Sequence, residues 1–168
     1  CLLSRGLGDV YKRQSLDSAP IFLHVRRGDP NLVDPRGFKW SYTECSDQHP
    51  PQPLEYYEKA LELFPEDVPV VVCSDSPEWV QEQEIFKPDR FAISIPEDKY
   101  DDGSYEPFID LCLMSLCSGA IIANSTMSWW GAWLQGGRGK VVAPKMWFGP
   151  AYPNNDTKDL YPEGWTLL

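Results

Sequence analysis

Apolar and polar positions fall into blocks whose period changes along the chain. Ile21 to Val25 is an apolar run broken only by His24, and it stops abruptly at two arginines; this predicts a short buried strand. The stretch from Arg26 to Pro53, rich in Pro, Gly and Asp and carrying Trp40, Tyr42 and His49, predicts a long loop, which in a compact domain is functional or disordered. Leu54, Tyr57, Ala60, Leu61 and Phe64 recur at three- and four-residue steps and predict a helix opened by Pro53. Pro69 to Cys73 reads as a strand covered on both faces, since it is continuously apolar. Ser74-Asp75-Ser76-Pro77 is a loop and cap signal before a helix over 77–86.

Phe91 to Ile95 predicts a third strand, 96–105 an acidic loop, and 106–117 a helix with Phe108, Leu111, Cys112, Met114, Ser115 and Leu116 on its buried side. Gly119 to Ala123 predicts a fourth strand. Asn124-Ser125-Thr126 would cap a tryptophan-rich helix over 127–134, and Lys140 to Ala143 predicts a fifth strand before an irregular aromatic tail. Strand and helix alternate with short turns. The fold class expected is therefore α/β, a Rossmann-like parallel sheet with helices on both faces.

The chain has 168 residues, of which 42% are hydrophobic, enough for one domain with its own core. A formal charge of −10 argues against a nucleic-acid partner. Cys73, Cys112 and Cys117 lie in apolar segments and read as core thiols, which suits a reducing, cytoplasmic setting. No apolar run is long enough to span a membrane. Residues 1–14 form a basic stretch without period, and Asp9 to Gln14 resembles the translated end of a sequencing-library transposon. They are expected to be an artefact or a disordered end, leaving 15–168 as the domain and an upstream domain missing.

In open α/β sheets ligands bind at the carboxyl ends of the strands. The first such end offers His24, Arg26, Arg27 and Asp29, the second Ser74, Asp75 and Ser76, the third Asp101 and Asp102, and the fourth Asn124, Ser125, Thr126 and Ser128. Arginine grips phosphate oxygens with a planar fork that never deprotonates. A helix opening at Ser125 or Thr126 adds free N–H groups and a positive dipole end. Together they would hold a diphosphate without metal. Asp75 could accept from the two N–H donors of a guanine, or simply cap the next helix. His24 could equally be a core histidine, and Trp129, Trp130 and Trp133 read as core packing before they read as a sugar platform. The chain carries no GxGxxG, GxxxxGK[ST], Asp-x-Asp or GxSxG pattern, so dehydrogenase, P-loop, metal-nucleotide and serine-hydrolase readings lose their usual residues.

His24-Val25-Arg26-Arg27-Gly28-Asp29 resembles the HxRRxD motif of the α1,2-fucosyltransferases, glycosyltransferase family 11. Asp110 to Cys117 followed by Ile121 to Leu134 is similar to the second long motif of that family in bacteria, and Val142-Ala143-Pro144 with Trp147 continues it. The resemblance implies the donor-binding half of a GT-B-like enzyme that transfers fucose from GDP-β-L-fucose, with inversion and without a metal or other cofactor, to a galactose-containing glycan. It implies that Arg26 meets the β-phosphate while Arg27 and His24 support the nucleotide. Asp29 is either the base that takes the acceptor proton or an anchor for the arginines, and Asp34 and Glu44 are other candidate bases. Where the family often has two acidic residues this chain has Asp75-Ser76. The expected location is cytoplasmic, peripheral to the inner membrane face in a bacterium. A related transferase with another nucleotide sugar or linkage, or a non-catalytic nucleotide- or glycan-binding fragment, is the alternative.

Overall fold

The computed structural model describes residues 19–33, 39–42, 45–95 and 107–168, with backbone alone for 29–33, 39 and 40. Residues 1–18 and the acidic loop with Asp101 and Asp102 lie outside the described residues, as do Asp34 and Glu44.

Six parallel strands form the sheet: β1 (Ile21–Val25), β4 (Val70–Ser74), β5 (Phe91–Ile93), β6 (Ala120–Ile121), β7 (Val141–Ala143) and β8 (Thr166–Leu167). Their spatial order is β5-β4-β1-β6-β7-β8. From β1 the chain steps outward through β4 and β5, then returns to the other side of β1 for β6, β7 and β8. That is the doubly wound order of a Rossmann-like sheet, and it places the reversal point beside β1.

Each central strand is buried on both sides, so its side chains divide between two cores. Ile21, Leu23 and Val25 pack with Val70, Val72, Tyr56, Tyr57 and Ala60 on one face. Phe22 packs with Val71, Cys73, Met114 and Ile122 on the other. This is why the strand sequences are continuously apolar. Each fully buried Phe22 or Leu23 side chain contributes about 1.5 to 3 kcal/mol. The first face is covered by α1 (Leu54–Leu61) and α2 (Pro77–Glu82), the second by α3 (Pro107–Leu116) and α4 (Thr126–Leu134).

The structure departs from the sequence expectation in five places. The long loop contains an antiparallel hairpin, β2 (Gly28–Val33) with β3 (Lys39–Ser41), made irregular by a register shift. Pro30 and the lack of alternation hide it. The helix predicted over 77–86 breaks at Gln83, which turns extended between α2 and a short 3-10 turn over Glu84–Phe86. The aromatic tail ends in β8, which pairs with β7 at Val142↔Thr166 and is too short to show a period. In α3 only Asp110 and Met114 are buried, while Phe108 and Leu116 are 65% and 57% exposed. That helix is apolar all round, so its pattern could not set its orientation. Among the tryptophans of α4, Trp129 is half-buried, and Trp130 and Trp133 are each 51% exposed, so the core-packing reading holds for Trp129 alone.

The seam between α3 and α4 depends on Gly131, where a methyl group would lie 2.6 Å from Cβ of the fully buried Met114. Alanine is favoured over glycine in a helix by about 1 kcal/mol. Overpacking costs about 1 to 3 kcal/mol and outweighs it here, because Met114 has no free side to move to. Gly131→Ala is therefore expected to lower the urea midpoint, and an unchanged or raised midpoint would contradict this packing.

Candidate active site

At the carboxyl end of β1 the chain leaves the sheet through Arg26, Arg27 and Gly28. Gly28 has φ 75, a left-handed conformation that glycine adopts without strain. The turn points the backbone N–H groups of Arg27 and Gly28 at Asp75, just past β4. Arg27 N–H donates to Asp75 Oδ1 at 3.0 Å and Gly28 N–H to Oδ2 at 2.7 Å. Arg26 Nη1 pairs with the same Oδ2 at 2.9 Å. Ser76 Oγ donates to the Gly28 carbonyl at 3.0 Å, closing the clamp. Ser76, the residue at which the chain departs from the two-acid pattern, thus holds the turn by a hydroxyl.

Asp75 therefore engages both oxygens within the chain. It does not cap α2, whose N-cap residue is Ser76, and it already holds a backbone donor on each oxygen. Its role here is to set the arginine turn.

The two arginines diverge. Arg26 lies over the Tyr42 ring with its guanidinium carbon 4.9 Å from the centroid, while Arg27 stacks on Trp79 of α2 at 4.0 Å. Burial works against the Arg26 charge, but Asp75 and Tyr42 outweigh it and raise its pKa further. Its Nε is buried and has no partner among the described residues, which leaves donor capacity for an anion. Tyr42 and Trp79 were not singled out as site residues from sequence, because nothing local links them to arginines far away in the chain.

His24 is 3% exposed and its Nδ1 has no partner among the described residues. Burial, then the nearby Arg26 charge, lowers its pKa to about 3, so the ring is neutral across the physiological range. An unfolded-state imidazole titrates near 6.5. Between pH 6.5 and 3 the unfolded chain binds the proton that the folded chain refuses, so this contribution to stability is lost as pH falls, by about 1.4 kcal/mol per unit. The pH dependence of unfolding in a His24→Gln variant should be shallower by that amount; parallel curves for the two proteins would contradict the assignment.

Asp110 is a site-edge residue that sequence reasoning placed only within a motif. Its carboxyl is 8% exposed and accepts from Ser94 Oγ at 2.7 Å. Burial raises its pKa, and hydrogen bonds from Ser94 and Cys73 oppose the rise. Cys73 is opposite His24 in the β1–β4 register, so Asp110 ties α3 to the strands beneath the histidine.

β6 pairs with β1 at Phe22↔Ala120 and Leu23↔Ile121, and continuing this register sets Arg26 level with Asn124. Ser125, extended at φ −137 and ψ 130, is the N-cap residue of α4 and makes no side-chain cap bond. Thr126 opens the helix and is exposed. Asn124 does something else. Its Nδ2 donates to the carbonyls of Pro50 at 3.0 Å and Trp147 at 3.1 Å, and its Oδ1 accepts from Gln52 at 3.2 Å. Ser128 is fully buried, with its hydroxyl donating to the carbonyls of Ser125 and Ala123. Of the four polar residues expected to face a ligand here, Ser125 and Thr126 remain available, while Asn124 and Ser128 fasten the chain to itself.

The Asp29 side chain lies outside the described residues, as do Asp34 and Glu44. Among the described residues no three His, Cys, Asp or Glu side chains gather as a metal site, and no helix is long and apolar enough to cross a membrane.

This geometry coincides with a sequence match. The family model for glycosyl transferase family 11 matches residues 8–168. The chain belongs to glycosyltransferase family 11. It is 35% identical over 165 residues to the O-antigen biosynthesis glycosyltransferase WbnK of Escherichia coli, covering 95% of this chain and 48% of that protein. It is 30% identical over 149 residues to an alpha-1,2-colitosyltransferase of Escherichia coli, covering 88% of this chain and 47% of that protein. The chain thus spans about half the length of the curated relatives it matches. No solved structure matches it significantly. The parallel α/β sheet is the fold expected of that family.

Proposed function

We propose that this family 11 chain is the donor-binding part of an α1,2-fucosyltransferase, moving L-fucose from GDP-β-L-fucose to a galactoside hydroxyl with inversion and without a metal. The observation that carries the reading is the Arg26 guanidinium at the sheet's reversal point, half-buried, oriented by Asp75 and with an Nε that has no partner among the described residues. Arg26 binds the β-phosphate. It stabilises the charge that grows on the departing nucleotide, an interaction stronger in the transition state than in the ground state. The free N–H groups at the start of α4, with Ser125 and Thr126, take further phosphate oxygens. His24, neutral and with one buried nitrogen unpaired among the described residues, offers the nucleotide a hydrogen bond, and Arg27, flat against Trp79, supports it. Asp29 follows within the motif and is kept as a candidate base for the acceptor proton. The proposed setting is cytoplasmic, peripheral to the inner face of a membrane; the unbridged Cys45, Cys73, Cys112 and Cys117 support a reducing compartment.

A second reading has a specific basis. A relative named for colitosyl transfer lies at 30% identity, so a donor carrying another deoxy sugar is the alternative. Competition for the site by GDP-fucose, GDP-mannose and UDP-galactose tests the first reading, and a GDP-linked colitose added to the series tests the second. GDP-fucose should displace a bound GDP probe best, and UDP-galactose should fail. Equal displacement by all three would remove the assigned donor.

A further inference from the structure

We propose that the ring cluster of Tyr42, His49, Phe148 and Tyr152 is an acceptor subsite that seats a pyranoside beside the diphosphate. This rests on the donor reading above, because the cluster begins where that site ends: Tyr42 carries the Arg26 guanidinium on its ring. His49 sits among the other three rings, its centroid 5.8 Å from Tyr42, 5.8 Å from Phe148 and 5.9 Å from Tyr152, tilted by 45° to 53°. Phe148 and Tyr152 meet edge to face at 78°. The rings are thus tilted against one another and do not stack flat. Tyr152 is 39% exposed and the other three are half-buried, so the cluster reaches solvent at its rim.

Two separate stretches supply the rings, and the chain fixes them together with directed bonds. Gly149 N–H donates to the Gln48 carbonyl and Ala151 N–H to the Asp47 carbonyl, each at 2.7 Å. The Tyr152 hydroxyl meets Gln48 Oε1 at 3.3 Å, and the buried Asn124 amide bridges Pro50 and Trp147 from below. A pyranoside has an apolar C–H face and a rim of hydroxyls. Aromatic walls with a few polar groups suit both, the rings taking the C–H face and the His49 nitrogens and tyrosine hydroxyls pairing with hydroxyls. The chemical class of ligand is therefore a neutral sugar. A charged substrate would lie against Arg26.

The test uses this chain and methyl β-galactoside as the probe. Saturation-transfer NMR reads galactoside contact with and without GDP, and calorimetry reads GDP separately, so failure of the donor reading is seen by itself. Two variants are compared: Tyr152→Ala, and His49→Phe, which keeps a ring in the cluster and removes its hydrogen bonds. The expected result is a saturable galactoside signal, weakened about fivefold or more in each variant, with GDP affinity kept within about twofold. A cluster that only packs loops together would shift the unfolding midpoint and leave the galactoside signal as in the parent. That outcome, or no galactoside signal from the folded parent, overturns the proposal.

Discussion

Arg26→Ala is expected to remove most GDP binding while the protein stays folded. Charge-assisted hydrogen bonds contribute about 1.5 to 3 kcal/mol each, so losing two weakens binding by about 100-fold or more. The fold survives because Asp75 keeps its two backbone donors, Arg27 and Gly28, when the guanidinium is gone. Calorimetric titration beside a thermal melt separates the two effects. Unchanged affinity in the variant would take the diphosphate away from Arg26.

Asp75→Ala acts on both stability and binding. It strands two backbone N–H groups and leaves the Arg26 charge without the counter-charge that offsets its burial. The Arg26 and Asp75 side chains remain 27% and 19% exposed, so solvent screens part of the loss. The expected cost is about 2 to 4 kcal/mol of folding stability, with GDP affinity falling too as the turn loosens. Asp75→Asn, which keeps one acceptor oxygen for one N–H, should fall between. Parent-like melting and parent-like affinity in Asp75→Ala would show that the clamp does not position Arg26.

What could be read from the residues follows from the range over which each signal acts. β1 and β4 were legible because both faces are buried, so their apolar runs need no partner to be recognised. The Arg26-Arg27 pair was legible because a buried strand ends at it. Asp75 looked like a cap or a base reader, since its true partners stand 47 and 48 residues earlier and no local pattern connects them. Asn124 and Ser128 looked like ligand groups from their place at a helix start. The carbonyl partners of Asn124 are fixed only when the loop before α1 and the segment after β7 close over β6, while those of Ser128 lie in its own turn, on Ser125 and Ala123. The facing of α3 was not legible, because a helix that is apolar all round carries no stripe to point inward.

The most direct test of the donor site is calorimetric titration of the folded chain with GDP in the presence of a chelator. The account predicts one saturable site, unaffected by the chelator and lost in Arg26→Ala. A folded sample that takes up no GDP, or takes it up only when divalent metal is restored, would contradict it.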